Sequence, residues 1–91
     1  MFYAISYDIM DDRRRLKVAN ILKDYGERVQ LSVFEVNIEP DQLERLKERV
    51  TKILDLEEDT LRIYPLCGTC VTKVKILGQG VLSQNPDFII I

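Results

Sequence analysis

The chain has 91 residues, 46% of them apolar and 31% charged, with a net charge of −2 and no histidine. That length holds one domain, and the charge balance argues against a generic basic nucleic-acid coat. The missing histidine excludes Ser-His-Asp and Cys-His catalysis and His-ligated zinc, leaving carboxylates, Tyr, Lys, Arg, Cys, Ser or a hard metal ion for any chemistry.

No apolar run approaches the roughly 20 residues of a membrane span. The start, MFYAISYD, lacks the basic leader and longer apolar core of a signal peptide. The expectation is a soluble, cytoplasmic protein with no membrane association.

The first segment, FYAISYDI, is largely apolar on both of its alternating faces. This predicts a central strand with Asp8 at its end. Asp11 or Asp12 suits a helix N-cap. The helix is expected to run to about Tyr25, with Leu16, Ala19, Leu22 and Tyr25 inward, and Gly26 as the residue that stops it. Arg28 to Ile38 is strongly β-forming, either as one long strand or as two short ones bent near Leu31–Ser32. Pro40 suits a helix's first turn, with Asp41 favourable beside it. Leu43, Leu46, Val50, Ile53 and Leu54 keep helical spacing. Leu61 to Cys67 reads as a strand, with Pro65 suggesting an edge or irregular position. Cys67 to Thr69 reads as a turn, and Cys70 to Leu77 as a further strand with Lys73 and Lys75 outward.

The order β-α-β(β)-α-β predicts an α+β, ferredoxin-like sandwich: an antiparallel sheet with two helices on one face. It also leaves an extra C-terminal strand. Residues 1–78 form the domain, and residues 79–91 form a tail ending in Phe88, Ile89, Ile90 and Ile91. Exposed, that tail would promote aggregation, so it is expected to dock on the partner subunit of a homodimer.

Asp8 has two readings: a residue that caps or turns the chain, or a rigidly held metal ligand. Mg²⁺ keeps several waters and takes one or two carboxylates, and a two-fold dimer would supply a second Asp8. Arg13, Arg14, Arg15 and Lys17 read as a solvated helix face or as a phosphate surface. Cations near a helix N-terminus oppose the macrodipole, and three consecutive arginines point around the helix rather than along one side. Arg28 would reach the Asp8 end of the sheet if their strands are neighbours. Ser32 flanks the same segment, and Phe34 is expected in the core. Cys67 and Cys70 form a CxxC, which marks a redox motif, half a zinc site or a hairpin turn. Lying between two predicted strands, it is read as a structural turn, with a disulfide as the alternative if the source is a hyperthermophile.

The Tyr-Asp-Ile at residues 7–9, the DDRRR helix start, the Tyr25–Glu35 segment and DTLRIYPL at Asp59–Leu66 together resemble the CRISPR-associated protein 2 family, from Met1 to about Leu77. The resemblance implies a ferredoxin-like fold and a two-fold dimer whose C-terminal strands add to the partner's sheet. It implies paired Asp8 carboxylates holding Mg²⁺ or Mn²⁺, with Tyr7 beside them as a second catalytic residue. Arg15, Arg28, Ser32 and Phe34 match positions around the same cleft. Lys17 keeps the charge of a further basic position but loses the bidentate fork of arginine. The nucleic-acid surface is therefore expected to comprise Arg13, Arg14, Arg15, Lys17, Arg28 and Ser32, with Phe34 structural near the cleft. The implied activity is metal-dependent endonuclease action on single-stranded RNA and/or duplex DNA during spacer acquisition. The alternative is a non-catalytic dimeric scaffold that holds DNA for the CRISPR integrase.

Overall fold

The computed structural model describes residues 1–78. Its elements are β1 (Phe2–Asp8), α1 (Asp12–Lys23), β2 (Gly26–Gln30), β3 (Val33–Asn37), α2 (Pro40–Thr51), β4 (Thr60–Leu66) and a short α3 (Gly68–Thr72). The strands form one sheet in the order β2-β3-β1-β4, and each neighbouring pair is antiparallel. This is the ferredoxin-like arrangement. β1 is central, as its two apolar faces require, and β4, which carries Pro65, is an edge.

Side chains alternate across β1. Tyr3, Ile5 and Tyr7 face the helices and pack with Val18, Ala19, Leu22, Phe34, Val36, Leu46 and Val50 in one buried cluster. Phe2, Ala4, Ser6 and Asp8 alternate to the opposite face, away from the cluster that α1 and α2 cover. The β2–β3 segment resolves into two strands with a turn at Leu31–Ser32, and its register shifts between Arg28 and Gln30. α2 starts as the sequence suggests, with Pro40 in its first turn. The Glu39 backbone N–H donates to the Gln42 side chain at 2.9 Å.

Three expectations are corrected. First, α1 ends at Lys23 with Asp24 as its C-cap, and Gly26 opens β2 instead of ending the helix. The glycine is required by close approach: a Cβ there would lie 2.1 Å from the Glu35 carbonyl oxygen and 2.5 Å from Val36 Cγ1. Second, the inward stripe of α1 runs through Val18, Ala19 and Leu22, whereas Leu16 is 60% exposed. Leucine's apolarity alone does not say which side of a short helix meets the sheet.

Third, Cys70 to Leu77 is not a strand. Residues 68–72 form α3, and no strand follows among the described residues. The Cys70 N–H donates to Cys67 Sγ at 3.4 Å, and Val71 is buried. A local cap and one buried anchor thus override the β-propensity of Val71 and Thr72. The docking expected of residues 79–91 lies outside the described residues. No helix among the described residues is long and apolar enough to cross a membrane.

Candidate functional site

Asp8 ends β1 on the open face of the sheet. Its register partner is Thr60, and Ser6 opposes Arg62. These residues line a niche of about 200 Å³ with Tyr7 at its border. Among the described residues the Asp8 carboxylate makes no hydrogen bond or ion pair, and the residue is exposed. Its acidic neighbours are engaged. Asp11 is the N-cap of α1, accepting the Arg14 N–H at 2.9 Å, and that bond holds its carboxyl below the ordinary value. Asp12 pairs with Arg15. The capping role open to Asp8 in the sequence therefore belongs to Asp11.

The three arginines point in three directions. Arg14 turns inward: its Nε donates to Asp59 Oδ2 at 2.8 Å, and its Nη2 reaches Asp59 Oδ1 at 3.2 Å and Glu58 at 3.3 Å. The Asp59 side chain is fully buried, and it also accepts the Asp55 N–H at 2.9 Å. The Arg14 guanidinium, and secondarily that backbone bond, holds the Asp59 carboxyl below its ordinary value. Arg15 folds back over the β1–α1 loop. Its Nη1 donates to the carbonyls of Ile9 at 2.9 Å and Met10 at 3.3 Å, bracing the two residues that follow Asp8. Arg13 and Lys17 are exposed and make no ion pair among the described residues.

Arg28 opposes Phe34 across the β2–β3 ladder, and its guanidinium lies 5.4 Å from the Phe34 ring centre. Phe34 is in the core, fully buried. Because β3 separates β2 from β1, the strands of Arg28 and Asp8 are not neighbours. Arg28 instead joins Arg15, Leu16, Ser32 and Tyr7 in a groove of about 610 Å³ between α1 and the β2–β3 hairpin. The Tyr7 hydroxyl donates to the Leu31 carbonyl at 3.1 Å and so holds the hairpin tip. Of the predicted residues, Asp8 lies on the open face, Tyr7, Arg15, Arg28 and Ser32 lie at the groove, Arg14 turns to Asp59, and Arg13 and Lys17 stay exposed on α1. Tyr7 borders both the niche and the groove.

The family described as CRISPR associated protein Cas2 matches residues 1–74. The chain belongs to this family. A relative from Thermus thermophilus, named CRISPR-associated endonuclease Cas2 2, is 54% identical over 90% of this chain and 87% of its own length. One from Synechocystis, named CRISPR-associated endoribonuclease Cas2 3, is 47% identical over 98% and 97%. A chain in a solved partial Cas6-RT-Cas1–Cas2 complex is 32% identical, with a TM-score of 0.75, covering 84% of this chain and 89% of that one.

Within this Cas2-family chain, no group of three or more acidic or cysteine side chains is placed to hold a metal among the described residues. One copy offers a single carboxylate, Asp8, with the Ser6 and Thr60 hydroxyls lining the same niche. These are hard oxygen donors, which suit Mg²⁺ or Mn²⁺ rather than a thiophilic metal. One carboxylate with two hydroxyls is a partial set for such an ion, which keeps several waters and takes one or two carboxylates. Arg62 places a positive charge in the niche and so suits it to a phosphate as well. Sequence reading missed Arg62 and Asp59. For Arg62 the signal was the two-residue spacing Thr60, Arg62, Tyr64, which sets a cation on one face of an otherwise apolar strand.

Proposed function

We propose that this chain is a metal-dependent endonuclease of CRISPR adaptation. It acts as a homodimer that hydrolyses phosphodiester bonds of single-stranded RNA and/or duplex DNA. The observation that carries this reading is Asp8: a carboxylate on a rigid strand end, exposed and without a structural partner among the described residues. The names of the relatives, endonuclease and endoribonuclease, support it.

A Mg²⁺ or Mn²⁺ ion held by the Asp8 carboxylates of two copies would supply an activated water and neutralise phosphate charge. The chain's own residues do the positioning. Arg62 holds a phosphate oxygen in the niche beside Asp8. Arg15 fixes the loop that follows Asp8, and Tyr7 fixes the hairpin tip through Leu31. Arg13 and Lys17, free of ion pairs among the described residues, meet the nucleic-acid backbone, and Arg28 and Ser32 flank its path.

The second reading is a non-catalytic scaffold that holds duplex DNA for the CRISPR integrase subunit. It is favoured by the likeness to a chain in a complex that contains Cas1. One experiment separates the two. End-labelled single-stranded RNA and duplex DNA are incubated with the protein in Mg²⁺, in Mn²⁺ and in EDTA, beside Asp8→Asn. The endonuclease reading requires cutting that EDTA abolishes and Asp8→Asn lowers by more than the roughly 10–100-fold typical of losing an outer partner of a metal site. Equal cutting by both proteins, with duplex binding intact, would replace it with the scaffold.

A further inference from the structure

The nuclease reading makes no use of Cys67 and Cys70. Both thiols are free and exposed, at the end of β4 and away from the Asp8 niche. Residues spanning one turn keep their Cα atoms within about 7 Å, and a disulfide bridges Cα separations of about 4.4–6.8 Å. Here the two ends of the turn already touch: the Cys70 N–H donates to Cys67 Sγ at 3.4 Å. Gly68, inside the turn, has open space on the side where a Cβ would stand.

We propose that Cys67 and Cys70 form a reversible dithiol–disulfide redox site whose exchange partners are small disulfides and dithiols. The Cys67 thiolate attacks one sulfur of an external disulfide, forming a mixed disulfide and expelling the first external thiolate. Cys70 gives its proton to solvent and attacks Cys67 Sγ, forming the Cys67–Cys70 bond and expelling the second. The protein loses two electrons and two protons, and the external disulfide becomes two thiols. Roles follow from local contacts. Backbone N–H and thiol donation from Cys70 stabilise the Cys67 thiolate and lower its pKa, while the same neighbour raises that of Cys70. Cys67 is therefore the attacking thiol and Cys70 the resolving one.

Closure would also fasten α3. This helix is anchored by Val71, buried at 3% exposure. Its backbone bonds include Val71 N–H to the Cys67 carbonyl at 2.9 Å and Lys73 N–H to the Cys70 carbonyl at 3.0 Å.

The test titrates the full chain with mixtures of oxidised and reduced glutathione, followed by alkylation and mass measurement. The expected result is one step in which both thiols of the same chain become protected together, reversed by dithiothreitol. Cys70→Ser should accumulate a glutathione adduct on Cys67, and neither it nor Cys67→Ser should form an internal disulfide. Amide exchange at Val71 and Lys73 should slow several-fold on oxidation. Four outcomes would overturn the proposal: both thiols alkylated at every ratio, lasting adducts on both cysteines of the unaltered chain, disulfides between chains, or protection that requires added Zn²⁺.

Discussion

Arg14 Nε lies 2.8 Å from Oδ2 of Asp59, whose side chain has no solvent exposure. The pair ties the first turn of α1 to the residue that precedes β4. Asp59 thereby joins α1, through Arg14, to β4, through its own backbone. Removing one partner would leave a buried charge uncompensated, which is far more damaging than losing a surface ion pair.

Acid sensitivity follows from this pair. The folded Asp59 pKa lies below the ordinary carboxylate value of 3.8. Its contribution to stability is therefore complete above that value and is lost as pH falls through the lower folded value. Asp11, also lowered, acts in the same direction. Melting temperature measured across the acid range should fall steeply in the unaltered chain. In Asp59→Asn it should be low at neutral pH and should fall less on acidification. An unchanged acid limb would show that Asp59 does not carry it.

Salt dependence separates the arginines. Each phosphate neutralised on B-DNA contributes about 0.9 to the slope of log K against log salt. Arg13→Ala removes one contact per copy, so a dimer should lose about 2 from that slope, and Lys17→Ala should do the same. Arg14→Ala should lower the melting temperature and leave the slope of the folded protein unchanged. A slope loss with Arg14→Ala equal to that with Arg13→Ala would return Arg14 to the phosphate surface.

Gly26→Ala should destabilise the fold. The added methyl would overlap the Glu35 carbonyl and Val36, and part of that obstacle is backbone, which cannot rotate away. Overpacking of this kind costs about 1–3 kcal/mol. Urea denaturation should show a lower midpoint with an unchanged slope.

Tyr7→Phe leaves the Leu31 carbonyl without the donor that now lies at 3.1 Å. The loss should be about 1 kcal/mol, read by denaturant titration. In the cleavage assay a positioning residue predicts a reduced rate with the same pH profile, whereas loss of the alkaline limb would make the phenol a proton donor in the reaction.

Much of the fold was legible because local and global preferences agree. β1 declared itself central through two apolar faces, α2 through Pro40 and its 3.6-residue stripe, and β4 as an edge through Pro65. The failures came where contact overrode propensity. Val71 and Thr72 favour a strand, but Cys67 caps a helical turn there and Val71 is buried. Leu16 is apolar, yet Val18 is the residue whose side meets the sheet.

The same division runs through the site. Sequence by itself determined the inventory: a strand-end Asp8, a cluster of bases without histidine, and a family resemblance that spans the domain. Tertiary structure decided the roles. Three consecutive arginines carry the same charge and chemistry, and only the position of Asp59, 45 residues from Arg14, commits one of them to the interior. Only the pleat of β1 sends Tyr7 into the core and Asp8 to the open face, and only the strand order sets β3 between Arg28 and β1. These relationships depend on residues distant in the chain meeting in space, and no local pattern encodes such a meeting.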